Sequence, residues 1–225
     1  MVRLDRATGF GPVGCAFESR QAHLIFMIKI YQKLLSKFGK QNWWPCKTGN
    51  RFEIIIGAIL TQNTGWQNVE KAINNLIKNK MLSKDAIRKA GTRKLAVLIK
   101  PAGYYNQKAK KLKAFVNFSG DITRKDLLSI WGIGPETADS ILLYAYNKPY
   151  FVVDAYTKRI FSRLELIETD DYEEIREFFE KNLPKDVRIY REFHALIVEL
   201  AKKYCKKGPL CEECPLAKDC NYSKR

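Results

Sequence analysis

The chain's 225 residues predict an all-α fold. Apolar residues recur at helical spacing from about residue 22 to about residue 204, and no segment shows the strict alternation of a half-buried strand. Gly and Pro fall in short breaks between the apolar stripes, at Gly91, Pro101-Ala102-Gly103, Asn147-Lys148-Pro149 and Pro184.

Residues 1–21 carry scattered glycines and no periodicity, and read as a tail. In the stretch from Leu24 to Leu35, Phe26, Ile30 and Leu34 recur every four residues, while Lys29, Gln32 and Lys33 interrupt it. That is an amphipathic helix, too short and too charged to span a membrane. It is not followed by a clear small-residue cleavage site. Phe52, Ile55, Ile56, Ile59 and Leu60 form a second stripe. Ala109, Leu112, Phe115 and Val116 form a third, backed by Lys108, Lys110, Lys111 and Lys113. Ala138, Ile141, Leu142 and Ala145 make a fourth. Tyr172, Ile175 and Phe179 make a fifth, with Thr169 and Asp170 as expected caps, and Tyr190, Phe193, Ile197 and Leu200 a sixth.

Hydrophobic residues at 46% and charged residues at 28% mark a globular chain rather than a disordered one. The net charge of +16 repels itself in the compact state, and a polyanionic partner is the usual compensation; nucleic acid is the commonest. With no membrane span, a cytoplasmic, nucleoid-associated location is expected.

The segment from Leu127 to Asp139 runs an apolar helix into Gly132-Ile133-Gly134 and starts a second helix at Pro135, which suits the first helical position. The glycines let the backbone approach a partner closely, and amides at the start of a helix favour phosphate. This reads as a helix-hairpin-helix over residues 122–146, a sequence-independent grip on a DNA backbone; the bland reading is a tight turn between packed helices. After it, Asp154 follows the apolar run Tyr150–Val153 and opens another helix, as an N-cap, a catalytic carboxylate, or both.

Four of the six cysteines, Cys205, Cys211, Cys214 and Cys220, gather at the C-terminal end. They suit a metal centre better than a disulfide framework. Four thiolates hold either structural zinc or a 4Fe–4S cluster. Only one C-x-x-C pair is present, where zinc ribbons set two pairs across a longer gap, so the cluster is favoured.

Together the hairpin, Val152-Val153-Asp154, the cysteine loop, Leu60-Thr61-Gln62-Asn63-Thr64 and the run from Gly103 to Ala109 resemble the endonuclease III superfamily of DNA glycosylases, over roughly residues 40–222. The first cysteine gap is five where that family usually has six. The resemblance implies two helical lobes with DNA between them: residues 40–148 as a helical bundle, and 22–39 with 149–204 as a second lobe adjoining the iron–sulfur loop at 205–222. It implies a monomer acting on double-stranded DNA containing damaged bases, with Asp154 catalytic and a monovalent cation at the hairpin carbonyls. Phosphate contacts are expected from Gly132, Ile133, Gly134, Gln62, Asn63 and Lys108. Bifunctional members carry a lysine where this chain has Glu136, and a carboxylate cannot form an imine. Within the superfamily the chain resembles 3-methyladenine DNA glycosylase III, through Trp43-Trp44-Pro45, Trp66 and the hairpin run to Asp139. That similarity makes Trp43, Trp44, Pro45 and Trp66 the expected base pocket of a monofunctional alkylpurine glycosylase. The alternatives are a bifunctional enzyme using Lys148 or Lys158, or a non-catalytic iron–sulfur DNA-binding protein.

Overall fold

A computed structural model describes residues 13–224, with side chains from residue 22. Among them are eleven α-helices and no strand: α1 Val13–Phe38, α2 Arg51–Leu60, α3 Trp66–Lys78, α4 Lys84–Lys89, α5 Thr92–Leu98, α6 Tyr105–Asn117, α7 Arg124–Ser129, α8 Pro135–Ser140, α9 Ala155–Arg163, α10 Tyr172–Asn182 and α11 Val187–Lys203. The expected tail is therefore shorter than composition suggested. Residues 13–21 already belong to α1, and residues 1–12 lie outside the described residues.

Two apolar cores form. One draws on residues 55–145, from α2 through α8; the other joins Met27, Ile30 and Leu34 of α1 to residues between Leu143 and Leu216. The aromatic centre of the second core stacks Phe151 on Phe179 with centroids 4.1 Å apart, edge-on to Phe161 and near Phe193. Such pairs add ~0.5–1.5 kcal/mol each beyond their buried area. One element serves both cores. After α8 the backbone widens into a π-helical turn, Ile141–Ala145, which rotates successive side chains off the regular helical register. Ile141, Leu142 and Ala145 pack in the first core, Leu143 and Tyr144 in the second.

Side-chain caps fix several helix starts: Asn50, Ser83, Thr123, Asp154, Asp171 and Asp186 each accept an amide N–H of the first turn. The cap of α10 is Asp171 rather than the expected Thr169 or Asp170. Thr169 instead accepts the Asp171 amide, and the Asp170 carbonyl accepts Lys158 Nζ.

Candidate active site

Asp154 caps α9. Its Oδ1 accepts the Thr157 amide at 2.7 Å and the Thr157 hydroxyl at 2.8 Å. Both bonds fall on one oxygen, which leaves Oδ2 facing His194 Nε2 at 3.6 Å. Burial pushes the carboxyl pKa up, but His194 and the two Thr157 donors outweigh it, and the group ends below the ordinary aspartate value. It is an ionised, rigidly held carboxylate.

Asp154 lines a cavity of about 130 Å³ together with Trp43, Trp44, Trp66, Glu136 and His194. One water needs only ~10–15 Å³ on that measure, so the space suits a planar group rather than a single solvent molecule. Trp44 is the hub. Its ring meets Trp66 edge-on at 5.3 Å and Tyr144 at 5.0 Å, while its Nε1 end lies over Gly57, where a Cβ would come within 3.1 Å. Trp43 lies 5.5 Å from His194, with Lys202 Nζ 6.0 Å above its ring at the cavity mouth. The adjacent tryptophans both reach the cavity because residues 39–50 are non-helical. Pro45 does not line it: the chain turns outward there toward the Asn50 cap, leaving Pro45 exposed.

A wider groove continues from Asp154 and Glu136 to Gly132, Gly134, Gln62, Asn63 and Lys111. Gly132 takes φ +83°, and the Lys111 stem packs where its Cβ would stand, so glycine is required there on both counts. Gln62 ties the groove together, donating to the Gly132 carbonyl at 3.1 Å and to Thr137 Oγ1 at 2.9 Å, with Lys111 Nζ on its Oε1. Asn63 is exposed on the groove wall and Gly134 is open to solvent. Ile133 is buried in the first core, so it offers only backbone to a ligand.

Lys108, expected on the phosphate-facing surface, is instead interior. Its Nζ donates to the Leu60 carbonyl at 2.9 Å and the Ala102 carbonyl at 2.7 Å, carbonyls that end α2 and the 3₁₀ turn Lys100–Ala102. Burial, then the nearby Lys111 charge, lowers its pKa to about 8. Glu136 sits beside Asp154 with its side chain exposed at the surface, and partial desolvation of its carboxyl, then the Asp154 charge, raise its pKa. Two carboxyls on one wall are thus pushed in opposite directions.

His194 and Tyr144 were not among the residues the sequence singled out. His194 lies on the apolar stripe of α11 between Tyr190 and Ile197, and a polar residue at a core register was the available signal. It is 4% exposed.

At the C-terminal end, burial raises the Cys214 thiol pKa, and Cys205, Cys220 and Cys211 act on it electrostatically. No three His, Cys, Asp or Glu side chains among the described residues converge as a single-ion site. The loop is pinned by Lys29 and Lys33 to Asp219, by Arg159 Nε to the Cys205 carbonyl, and by Arg163, whose Nη1 lies 3.2 Å from Cys205 Sγ.

Residues 56–185 match the model of the HhH-GPD superfamily of base excision DNA repair proteins. A Methanocaldococcus jannaschii protein named as a DNA repair glycosylase is 53% identical over 209 residues, 85% of this chain and 94% of that protein. Endonuclease III of Thermotoga maritima is 32% identical over 187 residues, 80% of this chain and 86% of that protein. Helicobacter pylori 3-methyladenine DNA glycosylase, solved with 1,N6-ethenoadenine, superposes with a TM-score of 0.69 at 32% identity over 80% of this chain and 97% of that one. An endonuclease III–DNA complex shares the fold at a TM-score of 0.79 and 22% identity, over 89% and 96% of the two chains. Among the described residues no helix is long and apolar enough to cross a membrane.

Proposed function

The chain belongs to the HhH-GPD superfamily of base excision DNA repair proteins and is a DNA glycosylase; from that premise we propose that it excises alkylated purines such as 3-methyladenine from duplex DNA, as a monofunctional enzyme that works by base flipping and Asp154-assisted hydrolysis. One observation carries this reading: an ionised carboxylate and three indoles share a base-sized cavity whose wall carries Glu136 where a Schiff-base enzyme needs an amine. Adenine methylated at N3 is cationic, so it stacks favourably on indole faces and is drawn to a wall holding two carboxyls. It also leaves readily without an acid to protonate it. The Helicobacter relative, named for 3-methyladenine, supports the same substrate class.

In this reading the groove from Asn63 to Gly134 holds the DNA backbone, and carbonyls of the hairpin offer lone pairs to a monovalent cation. The damaged nucleotide leaves the stack at a cost of a few kcal/mol, which damage lowers. Its base enters between Trp43, Trp44 and Trp66. Oδ2 of Asp154 faces the sugar, stabilises the positive charge that develops as the glycosidic bond lengthens, and takes a proton from the attacking water. Cys205, Cys211, Cys214 and Cys220 would hold a 4Fe–4S cluster, which supplies a crosslink for the C-terminal loop.

The test is a panel of duplexes each carrying one lesion, scored with and without alkali and with borohydride. The expected result is release of 3-methyladenine, strand breakage only after alkali, and no trapped adduct. Excision confined to oxidised pyrimidines, with a trapped adduct, would overturn the proposal.

A further inference from the structure

We propose that His194 is a positioning residue for Asp154. Held by Tyr144, its imidazole pairs directly with the carboxylate oxygen that Thr157 leaves free, and so fixes the plane in which the acid meets the sugar. The inference rests on the reading that Asp154 assists base release.

Three elements meet here: Tyr144 lies in the π-helical turn, Asp154 at the start of α9 and His194 in the middle of α11. Tyr144 and His194 are buried, and His194 Nδ1 lies 2.6 Å from the Tyr144 hydroxyl. Burial, then the Asp154 charge, raises the phenol pKa well above the ordinary value. The hydroxyl therefore keeps its proton, can donate it to Nδ1, and leaves the imidazole proton on Nε2. The opposite tautomer would set a bare Nε2 lone pair against the Asp154 carboxylate, an unfavourable pairing of acceptors. The imidazolium carries a proton on both nitrogens. In each favourable state Nε2–H faces Oδ2.

Nε2 has no hydrogen-bond partner among the described residues, and Oδ2 stands 3.6 Å away. That is long for a hydrogen bond, but in a buried site an N–H and a carboxylate attract at this range with little screening. Oδ1 is already held by the Thr157 amide and hydroxyl. With one anchor on each oxygen, rotation of the carboxylate is restrained and Oδ2 stays on the cavity that Asp154 and His194 both line. The support behind the imidazole is rigid. Trp43 packs on one side at 5.5 Å, and Arg191 anchors the Tyr144 turn by donating to the Leu143 and Tyr144 carbonyls. The other titratable groups facing Asp154 are Glu136 of α8, on which Lys158 of α9 also acts, and Tyr144; Tyr156 and Lys202 line the same cavity. Without His194, burial and the like charge of Glu136 favour the protonated acid, opposed by the Thr157 donors.

The two amide replacements of histidine separate its nitrogens. In His194→Asn the amide reaches about as far as Nδ1, so it keeps Tyr144 and loses Asp154. In His194→Gln it reaches about as far as Nε2 and can still donate toward Oδ2. Single-turnover base release is followed against pH for both variants and wild type. In His194→Asn the acid limb of the profile should move to higher pH by about one unit, the low end of what a lost partner does to an aspartate. His194→Gln should keep the wild-type limb, and affinity for duplex carrying an abasic-site analogue should stay unchanged in both. A merely structural role would instead lower the rate by one factor at every pH. An unmoved limb in His194→Asn, or a Gln variant that shifts as far as Asn, would overturn the proposal. Tyr144→Phe, which loses only the hydroxyl that sets the tautomer, serves where His194→Asn does not fold: its limb should shift the same way, and an unmoved one counts equally against the proposal. A wild-type rate in Asp154→Asn would instead overturn the reading of Asp154 on which the proposal rests.

Discussion

Asp154→Asn separates the capping role of this residue from the catalytic role proposed for it. Oδ1 is occupied by Thr157, and asparagine presents the same carbonyl oxygen to the same two donors. It also ranks with aspartate as an N-cap, so α9 should start as before. What disappears is the negative charge on the free oxygen. A unit charge ~4 Å from a developing sugar cation, at an effective dielectric of ~20, is worth about 4 kcal/mol. At 1.36 kcal/mol per decade that is about 10³-fold in rate. Single-turnover excision on the best-cleaved lesion duplex measures the loss, and a thermal melt of the same preparation reports the fold. A rate within ~10-fold of wild type, or a loss of rate explained by unfolding, would refute the assignment of Asp154 to chemistry.

Three further outcomes follow from the packing and the titrations. Gly57→Ala would put a Cβ 3.1 Å from Trp44 Nε1, and because an indole cannot bend away, the variant should lose ~1–3 kcal/mol of stability and slow excision, read by melting and single-turnover rate. Lys108 has a folded pKa of about 8, below its unfolded value, so the unfolded chain binds the extra proton between ~8 and ~10.5 and stability rises with pH across that window; Lys108→Met should lose this rise relative to wild type in melts taken through it, and should melt lower at neutral pH because two carbonyls lose their donor. Glu136 has a raised folded pKa, but its side chain is exposed and water screens the charge, so Glu136→Gln should melt only slightly higher than wild type at neutral pH, with that small gain vanishing in acid.

Six helical segments were legible because each carries an apolar stripe at its own register, from Phe52–Leu60 to Tyr190–Leu200, whereas α3, α4 and α5 were not singled out. The hairpin was legible because glycine at φ +83° and proline at a first helical position have few alternative uses. Solvation was not. Lys108 looks like any other lysine of a basic face, and only the carbonyls left at the ends of two short helical segments explain why it turns inward. Pro45 shares a tripeptide with two cavity residues, but a non-helical segment can turn one residue out while its neighbours stay in. The Tyr144–His194 pair is separated by 50 residues and depends on a π-helical turn that leaves no mark on periodicity.

That turn also explains how the acid comes to face the tryptophans. Asp154 and His194 flank elements of the second core, while Trp66 and Glu136 start helices that build the first. A cavity wall shared by two cores needs an element common to both, and the widened turn after α8 supplies it by sending Leu142 one way and Tyr144 the other. The exchange of lysine for Glu136 then acts on a surface already fixed in place. An amine there would neutralise Asp154 and offer a nucleophile to the sugar. A carboxyl offers none, adds negative potential beside Asp154, and so favours a leaving base that is already positive. On the proposed reading, loss of lyase chemistry and preference for cationic lesions would be one change read twice, and a Glu136→Lys variant should move both together.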